Sequence, residues 1–148
     1  MPRPIRPQRP GAVYHVTMRG NNRGDIFFVD DDRDRFLQAL STVRHRCGWK
    51  IHAYCLMTNH YHLLIQTPSP NIAEGMQWLN SAYAHQTNTL YGRIGHVFQR
   101  RYARCRSHGG RAPACATWPG AWRAARRGKW RRGAGLGSNA RDVSVTTP

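Results

Sequence analysis

The sequence predicts an α+β domain, an antiparallel sheet with two helices on one face, followed by a disordered basic tail. Three observations lead there. Short apolar runs bounded by turn residues alternate with stretches whose apolar residues recur at helical spacing. These segments follow the order strand, helix, strand, strand, helix, strand. Beyond about Ser107 the apolar periodicity stops.

Tyr14 to Arg19 reads as the first strand, ending in the turn Gly20-Asn21-Asn22. Asp30 to Arg46 reads as a helix, with Phe36, Leu37, Leu40 and Val43 as its apolar stripe. The acidic cluster Asp30, Asp31, Asp32 and Asp34 falls where a helix N-terminus favours negative charge, so it is assigned to capping rather than to metal. Gly48 ends the helix, and Trp49 to Leu56 supplies a second strand. A hairpin through Met57-Thr58-Asn59 leads to a third strand, closed by Pro68 and Pro70. Asn71 is placed as the N-cap of a second helix running to about Asn88, with Ile72, Met76, Leu79 and Tyr83 on one face. Gly95 to Tyr102 is expected to be a final strand or an extended segment. This order is the ferredoxin-like arrangement, and residues 1–106 suffice for one small core, with residues 107–148 set apart as a low-complexity segment.

The third strand contains Asn59-His60-Tyr61-His62. Successive strand side chains point to opposite faces, so His60 and His62 share one face and Tyr61 takes the other. Two imidazoles at that spacing can grip one metal ion. A bare His-x-His reads more readily as a half-exposed strand edge with two solvated rings. Its donors alone favour zinc, copper or nickel over magnesium. The four cysteines, Cys47, Cys55, Cys105 and Cys115, form no C-x-x-C pair, which argues against a zinc ribbon.

Three blocks give this pattern a context. Gly11-Ala12-Val13-Tyr14-His15-Val16-Thr17-Met18-Arg19-Gly20-Asn21-Asn22-Arg23 resembles the opening strand of the single-tyrosine HUH transposases, in the branch associated with repetitive extragenic palindromes (REP). Ala53 to Leu64 is similar to that family's histidine–hydrophobic–histidine strand. Gly95-His96-Val97-Phe98-Gln99-Arg100-Arg101-Tyr102 is similar to the segment after its second helix. The resemblance to this insertion-sequence-200-like family covers roughly residues 4 to 106. It implies that His60 and His62 are ligands of a divalent metal, magnesium or manganese. It implies a DNA partner, single-stranded or hairpin, cleaved and rejoined through a tyrosine linked to the 5′ phosphate. The family includes dimers with shared sites as well as monomers, so the resemblance admits a homodimer.

Charge agrees with that partner. The chain has 23 Lys and Arg against 7 Asp and Glu, a formal net charge of +16, which favours a polyanion and salt-sensitive binding. Arg19, Asn22, Arg23, Arg93, Arg100 and Arg101 are the candidate DNA contacts. A solvated turn explains Arg19 and Asn22 equally well. No apolar stretch reaches the roughly 18–20 residues of a membrane span. The N-terminus lacks the apolar core of a secretory signal, so a cytoplasmic protein with reduced thiols is expected.

From His108 to Pro148, 25 of 41 residues are Ala, Gly, Arg or Pro, with Trp118, Trp122 and Trp130 among the arginines. Such a segment cannot bury enough apolar surface to offset its ordering entropy. It reads as a basic arm able to stack on bases and follow phosphates, or as a frameshifted translation. The abrupt break, and residue types that GC-rich codons encode in any frame, favour the frameshift.

The break bears on chemistry. In the resembled family, the catalytic tyrosine follows on a leucine-rich helix just before an Asn-Pro pair. No tyrosine occurs after Tyr102 here and the tail holds no Asn-Pro, so no catalytic nucleophile is assigned. Tyr83, Tyr91 and Tyr102 do not align with the family's nucleophile. The expectation is therefore a transposase with impaired strand transfer, or a non-catalytic DNA-binding module on the same fold. An α/β domain binding zinc incidentally is the third alternative.

Overall fold

The computed structural model describes residues 8–106; the expectations placed on residues 107–148 lie outside them. Four strands, β1 (Ala12–Arg19), β2 (Lys50–Met57), β3 (His60–Thr67) and β4 (Ala103–Arg106), form one antiparallel sheet in the order β2-β3-β1-β4. Helix α1 (Asp30–Cys47) links β1 to β2, and α2 (Ile72–Tyr91) links β3 to β4. Each helix thus joins two strands that have a third inserted between them, as the ferredoxin-like order requires.

Strand alternation decides what each face carries. Tyr14, Val16 and Met18 of β1, Ile51 and Tyr54 of β2, and Tyr61, Leu63 and Ile65 of β3 are buried in one cluster. Phe36, Leu40 and Val43 of α1 and Ile72, Met76, Leu79 and Tyr83 of α2 complete it. Both helices therefore cover the same face of the sheet. The even-numbered partners on β3, His60 and His62, go to the far face.

Helix α1 begins where the acidic cluster was expected to cap it. The Asp32 carboxylate reaches back to accept the N–H groups of Phe28 (2.8 Å) and Val29 (3.1 Å). It ends at Gly48, whose φ of 67° lies in the left-handed region that favours glycine, and whose N–H closes on the Arg44 carbonyl. Basic Arg44, His45 and Arg46 fill the last turn, where the helix dipole favours them.

Two expectations are corrected. Asn71 precedes α2 but its side chain does not cap it. Instead its Oδ1 accepts the Trp49 indole N–H at 2.8 Å, and its Nδ2 donates to the Cys47 carbonyl at 2.9 Å. The asparagine thus satisfies a carbonyl that the end of α1 leaves open. Of the two readings of Gly95 to Tyr102, the strand is the one corrected: the segment is not a strand, and β4 starts at Ala103. Val97 and Tyr102 are buried, and Phe98 packs on the core beside Val97. Two consecutive anchors cannot share one face of a strand. The segment touches the sheet through one bridge, Gly20 to Phe98, and through Asn21 N–H to Val97 O and Gln99 N–H to Arg19 O.

Helix α2 approaches the Trp49 indole so closely that a Cβ built on Gly75 would lie 2.1 Å from Cζ2. Gly→Ala inside a helix ordinarily gains about 1 kcal/mol. Here overpacking against a buried, hydrogen-bonded indole costs about 1–3 kcal/mol. Gly75→Ala should therefore lower the urea midpoint; a raised midpoint would show that the indole moves aside freely.

Candidate metal and nucleic-acid site on the far face of the sheet

β3 is a central strand, so the paired histidines do not lie on a sheet edge. Antiparallel register sets His60 opposite Arg19 and Met57, and His62 opposite Thr17 and Cys55. His62 is only 4% exposed, whereas His60 is half-buried. The reading of two solvated imidazoles is therefore corrected for His62.

Each ring is held through Nδ1. His60 Nδ1 lies 2.7 Å from Asn59 Oδ1. His62 Nδ1 lies 3.0 Å from His15 Nε2 and 3.2 Å from Thr17 Oγ1. His15 and His62 lie edge to edge and nearly coplanar, with ring centroids 5.2 Å apart and planes 11° from parallel, while His60 meets His62 edge-on at 5.1 Å. Burial pushes His62 down to about 3, with His15, His60 and Arg19 nearby adding to it. Burial alone takes His15 down to about 4. Burial and the Arg19 charge lower His60 as well. All three rings are thus shifted toward the neutral form, the state in which imidazole binds metal.

With Nδ1 occupied on both rings, Nε2 is the nitrogen left for a metal. That is the usual arrangement of ligating histidines, whose second nitrogen is engaged by an orienting group. The residues fit a two-imidazole site. Among the described residues no three His, Cys, Asp or Glu side chains gather closely enough to hold a metal ion.

The candidate DNA contacts divide. Arg19 is exposed at the end of β1, and Asn22 and Arg23 occupy a short 3₁₀ turn (Asn21–Arg23). Both of these residues have left-handed φ, 51° and 59°. Asn59 ties this turn to the histidine pair, because its Nδ2 donates to the Arg23 carbonyl at 3.1 Å while its Oδ1 faces His60. Arg100 and Arg101 are exposed and follow Gln99, whose N–H bonds the Arg19 carbonyl. Five of the six candidates thus come from segments joined at the His60 end of β1 and β3. Arg93 belongs to the helix layer, its guanidinium 5.3 Å from the Phe28 ring centre.

Sequence reading missed His15 and Thr17. Their signal was present, since His15, Thr17 and Arg19 alternate along β1 and so share one face. What it lacked was the register that puts that face beside His62. Tyrosine hydroxyls are committed elsewhere: Tyr83 donates to the Ile26 carbonyl at 2.6 Å and Tyr91 to Asp32 at 2.7 Å. Tyr102 is buried.

A ferredoxin-like sheet with a His-x-His pair on a central strand is the class that fold and site together define. The model of the family described as Transposase IS200 like matches residues 9–113, and the chain belongs to that family. Its structure is similar to that of a REP-associated tyrosine transposase bound to a REP hairpin, at TM-score 0.61 and 14% identity, covering 74% of this chain and 64% of that one. It is also similar to a candidate transposase from Deinococcus radiodurans R1, at TM-score 0.56 and 16% identity, covering 87% and 96%. At such identities the likeness bears on fold. Comparison with curated proteins gives no match. Among the described residues, no helix is long and apolar enough to cross a membrane.

Proposed function

We propose that this chain is a DNA-transposition protein that binds single-stranded or hairpin DNA at the His60 end of the sheet. A divalent metal, magnesium or manganese, would be held by His60 and His62. The observation that carries the reading is the juxtaposition of two Nδ1-anchored imidazoles with the segments that bear Arg19, Asn22, Arg23, Arg100 and Arg101. The arginines would neutralise phosphates, and Asn59 would keep their turn in register with the histidines. When bound, the metal would supply Lewis-acid polarisation of a phosphodiester. Family membership supports the DNA partner, as does the REP hairpin held by the similar transposase.

Strand transfer is proposed to be impaired. No tyrosine follows Tyr102, and the hydroxyls of Tyr83 and Tyr91 serve the fold. These facts favour a DNA-binding role without covalent chemistry. Residues 1–106 would be the binding domain and 107–148 a separate basic segment, frameshifted in origin. Translating the coding DNA from the Gly95 codon in all frames tests that origin; a leucine-rich helix with a tyrosine and Asn-Pro in another frame would establish it.

Manganese titration and hairpin binding by the full chain test the site. His60→Ala with His62→Ala should abolish manganese binding. Arg19→Ala and Arg23→Ala should each weaken hairpin binding at all sequences and lower the salt slope by about 1. Unchanged manganese affinity in the double variant would refute the metal site. A covalent protein–DNA adduct formed with manganese would refute the loss of strand transfer.

A further inference from the structure

We propose that His15, with Thr17, is a positioning residue that accepts the Nδ1–H of His62 and so fixes the ring tautomer whose Nε2 lone pair is open to a metal. Asn59 does the same for His60. The inference rests on the metal reading above and extends it to residues that touch no metal.

Hydrogen-bond inventory decides the His60 case. Asn59 Nδ2 lies 3.1 Å from the Arg23 carbonyl, and only the amide nitrogen can donate to a carbonyl. Asn59 Oδ1 therefore faces His60 Nδ1 at 2.7 Å. An amide oxygen only accepts, so His60 Nδ1 must carry the hydrogen and Nε2 must be bare.

His62 needs one more step. Its Nδ1 meets two partners, His15 Nε2 at 3.0 Å and Thr17 Oγ1 at 3.2 Å. A bare imidazole nitrogen has one in-plane lone pair and accepts one good hydrogen bond. A single N–H can be shared between two acceptors in a three-centre bond. The two-partner geometry therefore favours hydrogen on His62 Nδ1, with the His15 ring accepting through Nε2. The two rings are nearly coplanar, 11° between planes, so the His15 Nε2 lone pair lies in the plane of the His62 N–H.

Two readouts on the full chain test this, one of them without metal. Nitrogen-15 NMR of the histidine rings in the metal-free protein reports which nitrogen carries hydrogen, and manganese titration reports affinity. Both His60 and His62 should be Nδ1–H. His15→Leu removes the acceptor and should weaken manganese binding about 10–100-fold, with His62 shifting toward the other tautomer. His15→Gln offers an amide oxygen and should restore most of the affinity, which a merely structural role for the ring would not. Thr17→Val serves as the milder variant should His15→Leu not fold, with a smaller loss expected.

Hydrogen on His62 Nε2 in the wild type would overturn the proposal. So would wild-type manganese affinity in both His15→Leu and Thr17→Val. A wild-type chain that binds no manganese would overturn the metal reading instead, and the ring spectrum would still decide the role of His15.

Discussion

Asp32→Ala should destabilise the domain more than any other substitution of an acidic residue, by about 2–4 kcal/mol. The Asp32 carboxylate is 1% exposed and accepts from Phe28 N–H, Val29 N–H, the Tyr91 hydroxyl and the Arg35 guanidinium. Alanine would strand two backbone donors at the start of α1 and a hydroxyl from the end of α2. It would therefore loosen the contact between the helices as well as one helix end. Burial alone would raise the Asp32 carboxyl, but Tyr91, Arg35 and the two N–H groups together hold it below its ordinary value. The stabilisation is thus complete above the usual carboxylate range and fades as pH falls through the lowered value. Urea unfolding at pH 7 checks the magnitude; an unchanged midpoint would show that water replaces all four partners.

The second large effect is acid destabilisation through the histidine pair. His15 and His62 have ordinary values near 6.5 when unfolded and about 4 and about 3 when folded. Below pH 6.5 the unfolded chain takes up protons first, so stability must fall. The fall is about 1.4 kcal/mol per pH unit per group, and it flattens once each folded ring also titrates. Stability from this source is therefore complete above pH 6.5 and largely gone near pH 4. Chelator should be present, because bound metal would hold the rings neutral. The urea midpoint should drop steeply from pH 7 to pH 5, and His15→Gln should make the drop shallower by one proton. A midpoint independent of pH across that interval would mean that the rings are hydrated in the folded state.

Period and punctuation made most of the fold legible. Phe36, Leu40 and Val43 announced α1, Gly48 its end, and the alternation through His60-Tyr61-His62 announced that the two histidines would share one face. For Gly95–Tyr102 the sequence left strand and extended segment open, because Val97 and Phe98 look like strand residues one at a time; only their joint burial shows a segment pinned at consecutive positions. Asn71 was misjudged because an asparagine before a helix satisfies the capping pattern, while the indole of Trp49 competes for its oxygen. Local alternation places His15 on the far face of β1, but it cannot name the partner. Its importance lies in a pairing between segments 47 positions apart.

That pairing has a consequence for synthesis and for peptides. A chain emerging from the ribosome exposes His15 and Thr17 long before His62 exists, and nothing local can orient either ring. The site comes into being only when β3 zips onto β1, a non-local closure whose entropy must be met before any contact rewards it. A synthetic hairpin spanning β2 and β3 would carry both histidines with water where His15 and Thr17 belong. It should bind manganese loosely and take up protons near pH 6.5, as free histidine does.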